Sequence, residues 1–355
     1  MVKIAIIGAG FYGVMAAVEA AKRSEVKQVI IFDKADGILN SAGKYNQARL
    51  HLGFHYPRSK ETIMQSKTGY SYYRDRFPSV AKDIEKNIYI IRDDGHVTCR
   101  EYLDMMDSSE LRYRLVDSAS LPFGYKDKNE EHVAIEVDEG YIDISILNAV
   151  LTDELKQHNI SMRFNTEILD IDCDVGTVTK SCGSKEHFDA IINCSYTNPF
   201  MGFSRHLVPI KYELCLMLLI SSESIKNHAV TIMDGEYVSV YPWLSDLHSV
   251  SSVSITPMIR SESLAELWDT YLNLPQKQIL AAVGRLEHHM KSLLDFDYVL
   301  VSHFTAPKVK IRDDADDQRL VKSFISGRCL TVLQGKLDAV THFLSDLERF
   351  LEEIL

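Results

Sequence analysis

Residues 3–7 (KIAII) form a short apolar run behind a lysine, the pattern of a strand buried on both faces. Residues 14–22 (VMAAVEAAK) then show helical spacing with small residues on the inner face, and residues 26–32 (VKQVIIF) read as a second strand. Further on, residues 62–76 predict a helix and residues 87–92 a strand, with short strands and charged turns over the rest of 80–140. Residues 145–158 predict an amphipathic helix with Leu147, Val150, Leu151 and Leu155 on one face. Strands are expected at 161–172, 174–180 and 188–195, the last (FDAIINCS) buried and ending in small polar residues. More strands are expected at 211–221, 237–241 and 250–256, followed by a helix over 264–293 that Pro275 interrupts. A short strand at 330–333 precedes a final helix from Gly335 onward, with Val340, Phe343, Leu344, Leu347, Phe350 and Leu351 on its apolar face. No internal repeat is visible.

Between the first strand and helix stands Gly8-Ala9-Gly10-Phe11-Tyr12-Gly13, a G-x-G-x-x-G, and Asp33 closes the second strand 20 positions after Gly13. In this strand–turn–helix–strand–acid order each residue has a physical task. Gly8 permits a tight turn, Gly10 lets backbone approach a pyrophosphate, and Gly13 lets helix and strand pack closely. The helix start offers amides and positive dipole to phosphates, and Asp33 suits a ribose hydroxyl. The alternative is a plain βαβ unit whose glycines serve packing. Asp33 does not separate NAD from FAD, since both carry the adenosine ribose. Residues 34–49 (KADGILNSAGKYNQAR) read instead as a polar loop extended along a cofactor, and no second G-x-G-x-x-G offers a separate nicotinamide site. The loop ends in residues 50–58, LHLGFHYPR, rich in proton-handling and aromatic groups.

The chain has 355 residues, 46% hydrophobic and 25% charged, which suggests about two domains of an ordinary globular protein. Its net charge of −11 argues against binding a nucleic-acid backbone or anionic lipid. The longest strongly apolar run, residues 214–220 (LCLMLLI), falls far short of the roughly 18 residues that a spanning helix needs. No basic leader precedes the first strand, and the six cysteines contain no C-x-x-C pair. Both fit a cytoplasmic protein with reduced thiols and no metal site. The sequon Asn193-Cys194-Ser195 follows a buried strand and reads as chance.

With these pieces in place, the chain resembles the D-amino-acid oxidase superfamily of FAD-dependent oxidoreductases over nearly its whole length. Four segments in order carry the resemblance: the Gly8 to Asp33 unit; His51-Leu52-Gly53-Phe54-His55-Tyr56, similar to the H-x-G-x-x-Y of 2-hydroxyglutarate dehydrogenase-like members; Tyr141-Ile142-Asp143 with its helix and following strands; and Thr331-Val332-Leu333-Gln334-Gly335-Lys336-Leu337-Asp338. The runs RLHLGFHYPRS and IRDDADDQR also resemble bacterial FAD oxidoreductases found with surface-polysaccharide genes. The resemblance implies an α/β fold: a Rossmann-like FAD-binding domain with an interleaved α+β substrate domain built on an antiparallel sheet. The FAD-binding domain would comprise 1–75, 140–205 and 305–355, and the substrate domain 76–139 and 206–304, with the flavin ring at their interface.

It further implies cofactor-binding roles for Gly8, Gly10, Phe11, Tyr12, Gly13, Asp33 and Lys34. Asn46, Gln47, Arg49 and Leu50 would pass under the flavin as extended backbone, and Ile168 would meet the adenine. Ser195 and Tyr196 would lie beside the pyrophosphate. The amides of Gly335, Lys336, Leu337 and Asp338 would polarise a flavin carbonyl at a helix start. His51, His55 and Tyr56 are the catalytic candidates, because an alcohol substrate must lose its hydroxyl proton as hydride leaves and histidine accepts one near neutral pH. A core histidine, a flavin hydrogen-bond partner and a covalent flavin attachment are alternatives. Arg49, Arg58 and Arg312 are candidates to clamp a carboxylate or phosphate. Tyr237, Tyr241 and Trp243 share one strand face that could line a substrate cavity, and the Asp313, Asp314, Asp316, Asp317 cluster is a solvated turn or a gate. The implied activity removes a hydride from a C–O or C–N bond of a small polar substrate, with oxygen or another electron acceptor as partner. An amino-acid or amine oxidase giving an imine, and a flavin-binding assembly protein without turnover, are the alternatives. Oligomeric state is left open.

Overall fold

The computed structural model describes residues 2–126, 131–233, 235, 238–244, 246–312 and 321–354. The chain forms two compact units, Met1–Lys44 with Ile144–Ile210 and Arg319–Leu355, and Tyr45–Asp143 with Lys211–Gln318. Residues 45–75, expected with the cofactor-binding part, cluster with the second unit, where strand Arg49–Leu50 pairs with Gly140–Ile142.

The first unit holds a six-stranded sheet in the order Ser161–Arg163, Val26–Phe32, Val2–Ile7, Ala190–Asn193, Cys329–Leu333, Lys322–Ser326. The first five strands run parallel and the last is antiparallel. Alternation along the pleat puts Ala5, Ile7, Ile30, Phe32 and Ile191 on one face. There they pack against Ile168, Ile171 and Val178 of a small antiparallel sheet, Ile168–Asp172, Thr177–Lys180, Lys185–His187. Helix Phe11–Ala21 is buried along nearly its whole length. The strand expected at 161–172 is two strands, because Asn165 takes a left-handed φ of 52° and turns the chain between them.

The final helix also begins later than expected. Gly335 is exposed and Lys336 is extended (φ −148°, ψ 158°), its carbonyl accepting from the Tyr12 hydroxyl at 2.6 Å. A 3-10 turn, Leu337–Ala339, then leads into helix Val340–Ile354.

The second unit is built on a nine-stranded sheet. Its path runs Pro257–Ser261, Ile210–Ser221, Leu247–Ser252, Val238–Trp243, His228–Met233, Lys86–Arg92, His132–Val137, Tyr113–Val116, and Val299–Ile311 pairs with Ile210–Ser221 off it. Pairing is antiparallel along this path except between His228–Met233 and Lys86–Arg92. Ile88 and Ile90 join a core with Leu216, Leu218, Val240 and Val250, covered by Leu286, Met290 and Leu293 of helix Gln276–Leu293. Their neighbours Tyr89 and Ile91 face the other side, against Phe54, Tyr56, Ile63, Tyr102 and Met106. That second face carries the loop of the catalytic candidates. The helix expected over 264–293 breaks into Leu264–Leu272 and Gln276–Leu293 around Pro275. The strand expected at 250–256 ends at Ser252, where Ser252 and Thr256 exchange hydrogen bonds in a turn. No helix among the described residues is long and apolar enough to cross a membrane.

Candidate functional site

In the first unit the chain leaves strand Val2–Ile7 through Gly8 at φ 101°. A Cβ there would stand 2.6 Å from the Cys194 carbonyl oxygen, and one at Gly13 only 1.9 Å from the Gly8 carbonyl oxygen. Beyond its two chain neighbours, no described atom lies within 4 Å of a Cβ built on Gly10, the N-cap of helix Phe11–Ala21. The helix has no side-chain cap and no acidic residue in its first turn, so no side chain there offsets the positive end of its dipole. Asp33 sits beside this turn: its carboxylate accepts from Ala9 N at 2.6 Å and Ala35 N at 2.8 Å. Lys34 is exposed, and Ile168 is buried at the start of its strand.

Ser195 lies against the same turn, its Cα 3.3 Å from the Cβ position of Gly8. Its amide N–H donates to Asn193 Oδ1 at 3.1 Å, and its hydroxyl donates to the Asn198 carbonyl at 2.9 Å. Tyr196 takes a left-handed φ of 60°. The buried Tyr12, edge-on to Phe11 and tilted against Phe343, donates its hydroxyl to the Lys336 carbonyl. Burial, then the nearby Asp338, pushes its hydroxyl well above its usual range. Asp338 is itself buried, and neither carboxylate oxygen has a hydrogen-bond partner, which leaves them open to donors from a ligand. Leu337 stands half-buried beside it. A helix start without a side-chain cap, a glycine cradle, an acid at the neighbouring strand end and an orphaned buried carboxylate suit a dinucleotide with phosphates and hydroxyls.

The second unit gathers the other candidates. The Asn46 side chain accepts from Ala48 N at 2.5 Å, and Ala48 turns at φ 47°. The expected extended run from Asn46 to Leu50 is therefore extended only over Arg49–Leu50. The Arg49 guanidinium is buried, with its carbon 4.2 Å over the Tyr241 ring. It donates to Thr231 Oγ1 at 3.0 Å, Gln47 Oε1 at 3.0 Å and Ser239 Oγ, all uncharged acceptors, while its Nε has no partner. Among the described residues no carboxylate forms an ion pair with it. Gln47 is tied down in turn by Ser251 at 3.0 Å. Tyr241 is fully buried, its hydroxyl donating to the Gly140 carbonyl and accepting from Asn87 Nδ2, each at 3.0 Å.

Leu50 pairs with Gly140 across an antiparallel ladder, which brings the next residue, His51, beside the preceding residue of the partner strand, Glu139. His51 Nδ1 stands 3.6 Å from Glu139 Oε2. The rings of His51, His55 and Tyr56 form a triangle with 5.4 Å between centroids on every side. Glu139 is not visible in any sequence motif. Its side chain is wholly buried and accepts from Leu52 N at 2.7 Å, Gly53 N at 3.1 Å and the Tyr89 hydroxyl at 2.6 Å. Burial alone would push its carboxyl up; His51, Tyr89 and the Leu52 amide outweigh burial and hold it below the usual value.

Other candidates stand elsewhere. Arg58 is exposed, and Arg312 forms a largely exposed ion pair with Glu262, so neither is a buried clamp. Trp243 stacks on Phe304 at 5.4 Å, apart from the Tyr241–Arg49 contact. Tyr237 and the Asp313, Asp314, Asp316, Asp317 cluster lie outside the described residues. No group of three metal-ligating side chains occurs among the described residues.

Residues 3–306 match the family described as FAD dependent oxidoreductase. An FAD-dependent monooxygenase of Fusarium mangiferae is 25% identical over 344 residues, covering 95% of this chain and 88% of the relative. Among solved structures, the L-alpha-glycerophosphate oxidase of Mycoplasma pneumoniae is similar with a TM-score of 0.72 at 13% identity, over 99% of this chain and 95% of that one. Glycine oxidase of Geobacillus kaustophilus matches with a TM-score of 0.68 at 12% identity, over 98% and 95%.

Proposed function

Because the chain belongs to the family of FAD dependent oxidoreductases, we propose that it oxidises the alcohol carbon of a small anionic substrate such as a hydroxy acid. Bound FAD supplies a two-electron acceptor for the departing hydride, and oxygen or another acceptor then takes the electrons. The observation that carries the reading is the buried Arg49 guanidinium, held by neutral partners two residues before His51. A buried cation without a carboxylate partner is costly, and an anionic substrate group relieves that cost. In this reading Arg49 holds the substrate's carboxylate or phosphate, and Tyr241 keeps the guanidinium in place beneath it. His51 takes the hydroxyl proton, and His55 and Tyr56 limit its ring to one orientation. The residues around Gly8, Gly10, Gly13, Asp33, Ser195 and Asp338 hold the dinucleotide.

An anaerobic bleaching screen of the yellow protein tests this. The panel is lactate, 2-hydroxyglutarate, glycerol 3-phosphate, glycine, other amino acids, amines, NADPH and the sugar derivatives of surface-polysaccharide metabolism. Bleaching by anionic alcohols is expected, with His51→Gln slowing it by about 10²–10⁴-fold. Bleaching by amines alone, with His51→Gln without effect, would instead support an imine-forming oxidase. Bleaching by NADPH alone would support a monooxygenase, the activity in the name of the Fusarium mangiferae relative. A flavin that nothing bleaches would leave an assembly protein.

A further inference from the structure

We propose that Glu139 is a positioning residue: its buried carboxylate holds the His51 imidazole as the Nδ1–H tautomer, so that Nε2 is left as the proton acceptor. The inference rests on the reading of His51 as the base, and it adds a group far away in sequence that makes the base competent.

The hydrogen-bond inventory of the carboxylate carries the argument. An ionised carboxylate only accepts, through about four lone-pair positions. Oε1 takes two backbone donors, Leu52 N and Gly53 N. Oε2 takes the Tyr89 hydroxyl and has one position left, and the group standing there is His51 Nδ1 at 3.6 Å. Nδ1 has no hydrogen-bond partner within 3.5 Å, and this carboxylate oxygen is the polar group it approaches. A lone pair of Nδ1 facing a buried carboxylate would set two acceptors against each other in a medium of low dielectric, whereas an N–H there is attracted. The proton of neutral His51 therefore belongs on Nδ1, and Nε2 keeps its lone pair, the arrangement in which a carboxylate fixes a histidine base. The same carboxylate fixes where the ring sits, because it anchors the two amides that follow His51 in the chain. The carboxyl is held below its usual value, so it is ionised wherever the histidine is a useful base.

The register explains how two residues almost ninety positions apart meet. Leu50 pairs with Gly140, and a Cβ on Gly140 would stand 2.3 Å from the Lys82 carbonyl oxygen, so only glycine lets three strands close here. Glu139 is thereby delivered to His51 by backbone pairing rather than by a flexible side chain.

The test is nitrogen NMR of the FAD-bound protein labelled with [15N]histidine, with the His51 signals assigned by their loss in His51→Asn. The expected spectrum of neutral His51 shows a protonated Nδ1 and an unprotonated Nε2. In Glu139→Gln the proton is expected to move to Nε2 in part or in full, with flavin absorbance confirming the fold. Tyr89→Phe keeps the carboxylate and removes only its hydroxyl donor, so the Nδ1–H tautomer should persist. A wild-type His51 protonated at Nε2 overturns the proposal even if Glu139→Gln does not fold. So does an unchanged tautomer in Glu139→Gln, or a change as large in Tyr89→Phe. No substrate enters the measurement, so a failed hydride-transfer reading would leave a positive tautomer result standing, and a negative one would remove only the role of Glu139.

Discussion

Gly10 separates the two meanings that the glycine turn has at the level of single residues. Gly8 and Gly13 must be glycine for reasons inside the protein, since a Cβ would strike backbone at 2.6 Å and 1.9 Å. Alanine at either is expected to lower the melting temperature and to yield colourless protein. At Gly10 a Cβ meets no described atom within 4 Å beyond its chain neighbours, so alanine there should leave the fold unstrained. If a pyrophosphate lies against this residue, Gly10→Ala should melt as the wild-type apoprotein does yet bind FAD more weakly, as flavin-fluorescence titration would read. Equal FAD affinity in Gly10→Ala would return the motif to simple packing. Gly53 sets a parallel case in the second unit. Its φ of 126° and a Cβ position 2.8 Å from Ile63 Cγ2 mean that Gly53→Ala strains the loop carrying His51 and His55. A loss of about 1–3 kcal/mol is expected for such a left-handed position in denaturant unfolding, against a near-neutral Gly37→Ala, where the added Cβ meets nothing.

Elements show where sequence pattern suffices and where it does not. Helix Cys99–Ser108 begins at a capping box in which Thr98 and Glu101 bond reciprocally, and Thr98→Ala should cost about 1 kcal/mol of stability in a denaturant melt. The spacing of apolar residues hides this helix, since only Tyr102 and Met106 are fully buried in it; the T-x-x-E at its start is the signal that reveals it. Strand Val26–Phe32 and the helix break at Pro275 are legible because a run of apolar β-formers, buried over Val29–Phe32, and a missing N–H are local properties. Glu139 is illegible because its meaning lies in strand register, which joins distant residues. Electrostatics adds a similar long-range element. Glu186 bonds Lys3, Lys180 and Arg163, tying strand Lys185–His187 to Val2–Ile7, Thr177–Lys180 and Ser161–Arg163. Burial raises its carboxyl, but the three cations more than offset this and bring it down to about 2. A depressed carboxyl stabilises the fold above its unfolded value near 4.5 and loses that contribution as pH falls towards 2. Glu186→Gln should therefore lower the melting temperature most near neutral pH, with the gap to wild type closing through this acid range and narrowing in high salt. A gap that stays constant down to pH 2 would show that the charge contributes nothing.

At the scale of the whole molecule, the connectivity makes the first unit depend on the last residues of the chain. Its central strands Val2–Ile7 and Ala190–Asn193 are complete early, but Ala190–Asn193 needs Cys329–Leu333 as its neighbour, and helix Val340–Ile354 follows that strand. The second unit lies wholly within 45–318. A chain ending at Gln318 thus keeps every strand of the nine-stranded sheet but leaves Ile191 and Ile192, both fully buried in the intact protein, on an open parallel edge. It also lacks Asp338 and the Lys336 carbonyl that receives the Tyr12 hydroxyl. Such a chain is expected to purify colourless and to lose amide-exchange protection in Val2–Ile7 and Ala190–Asn193. Protection in Lys86–Arg92 and Val238–Trp243 should persist, because their pairing partners all remain. Retained flavin in the shortened chain would show that the parallel sheet closes without its C-terminal strands. Loss of protection in both units together would show one cooperative fold.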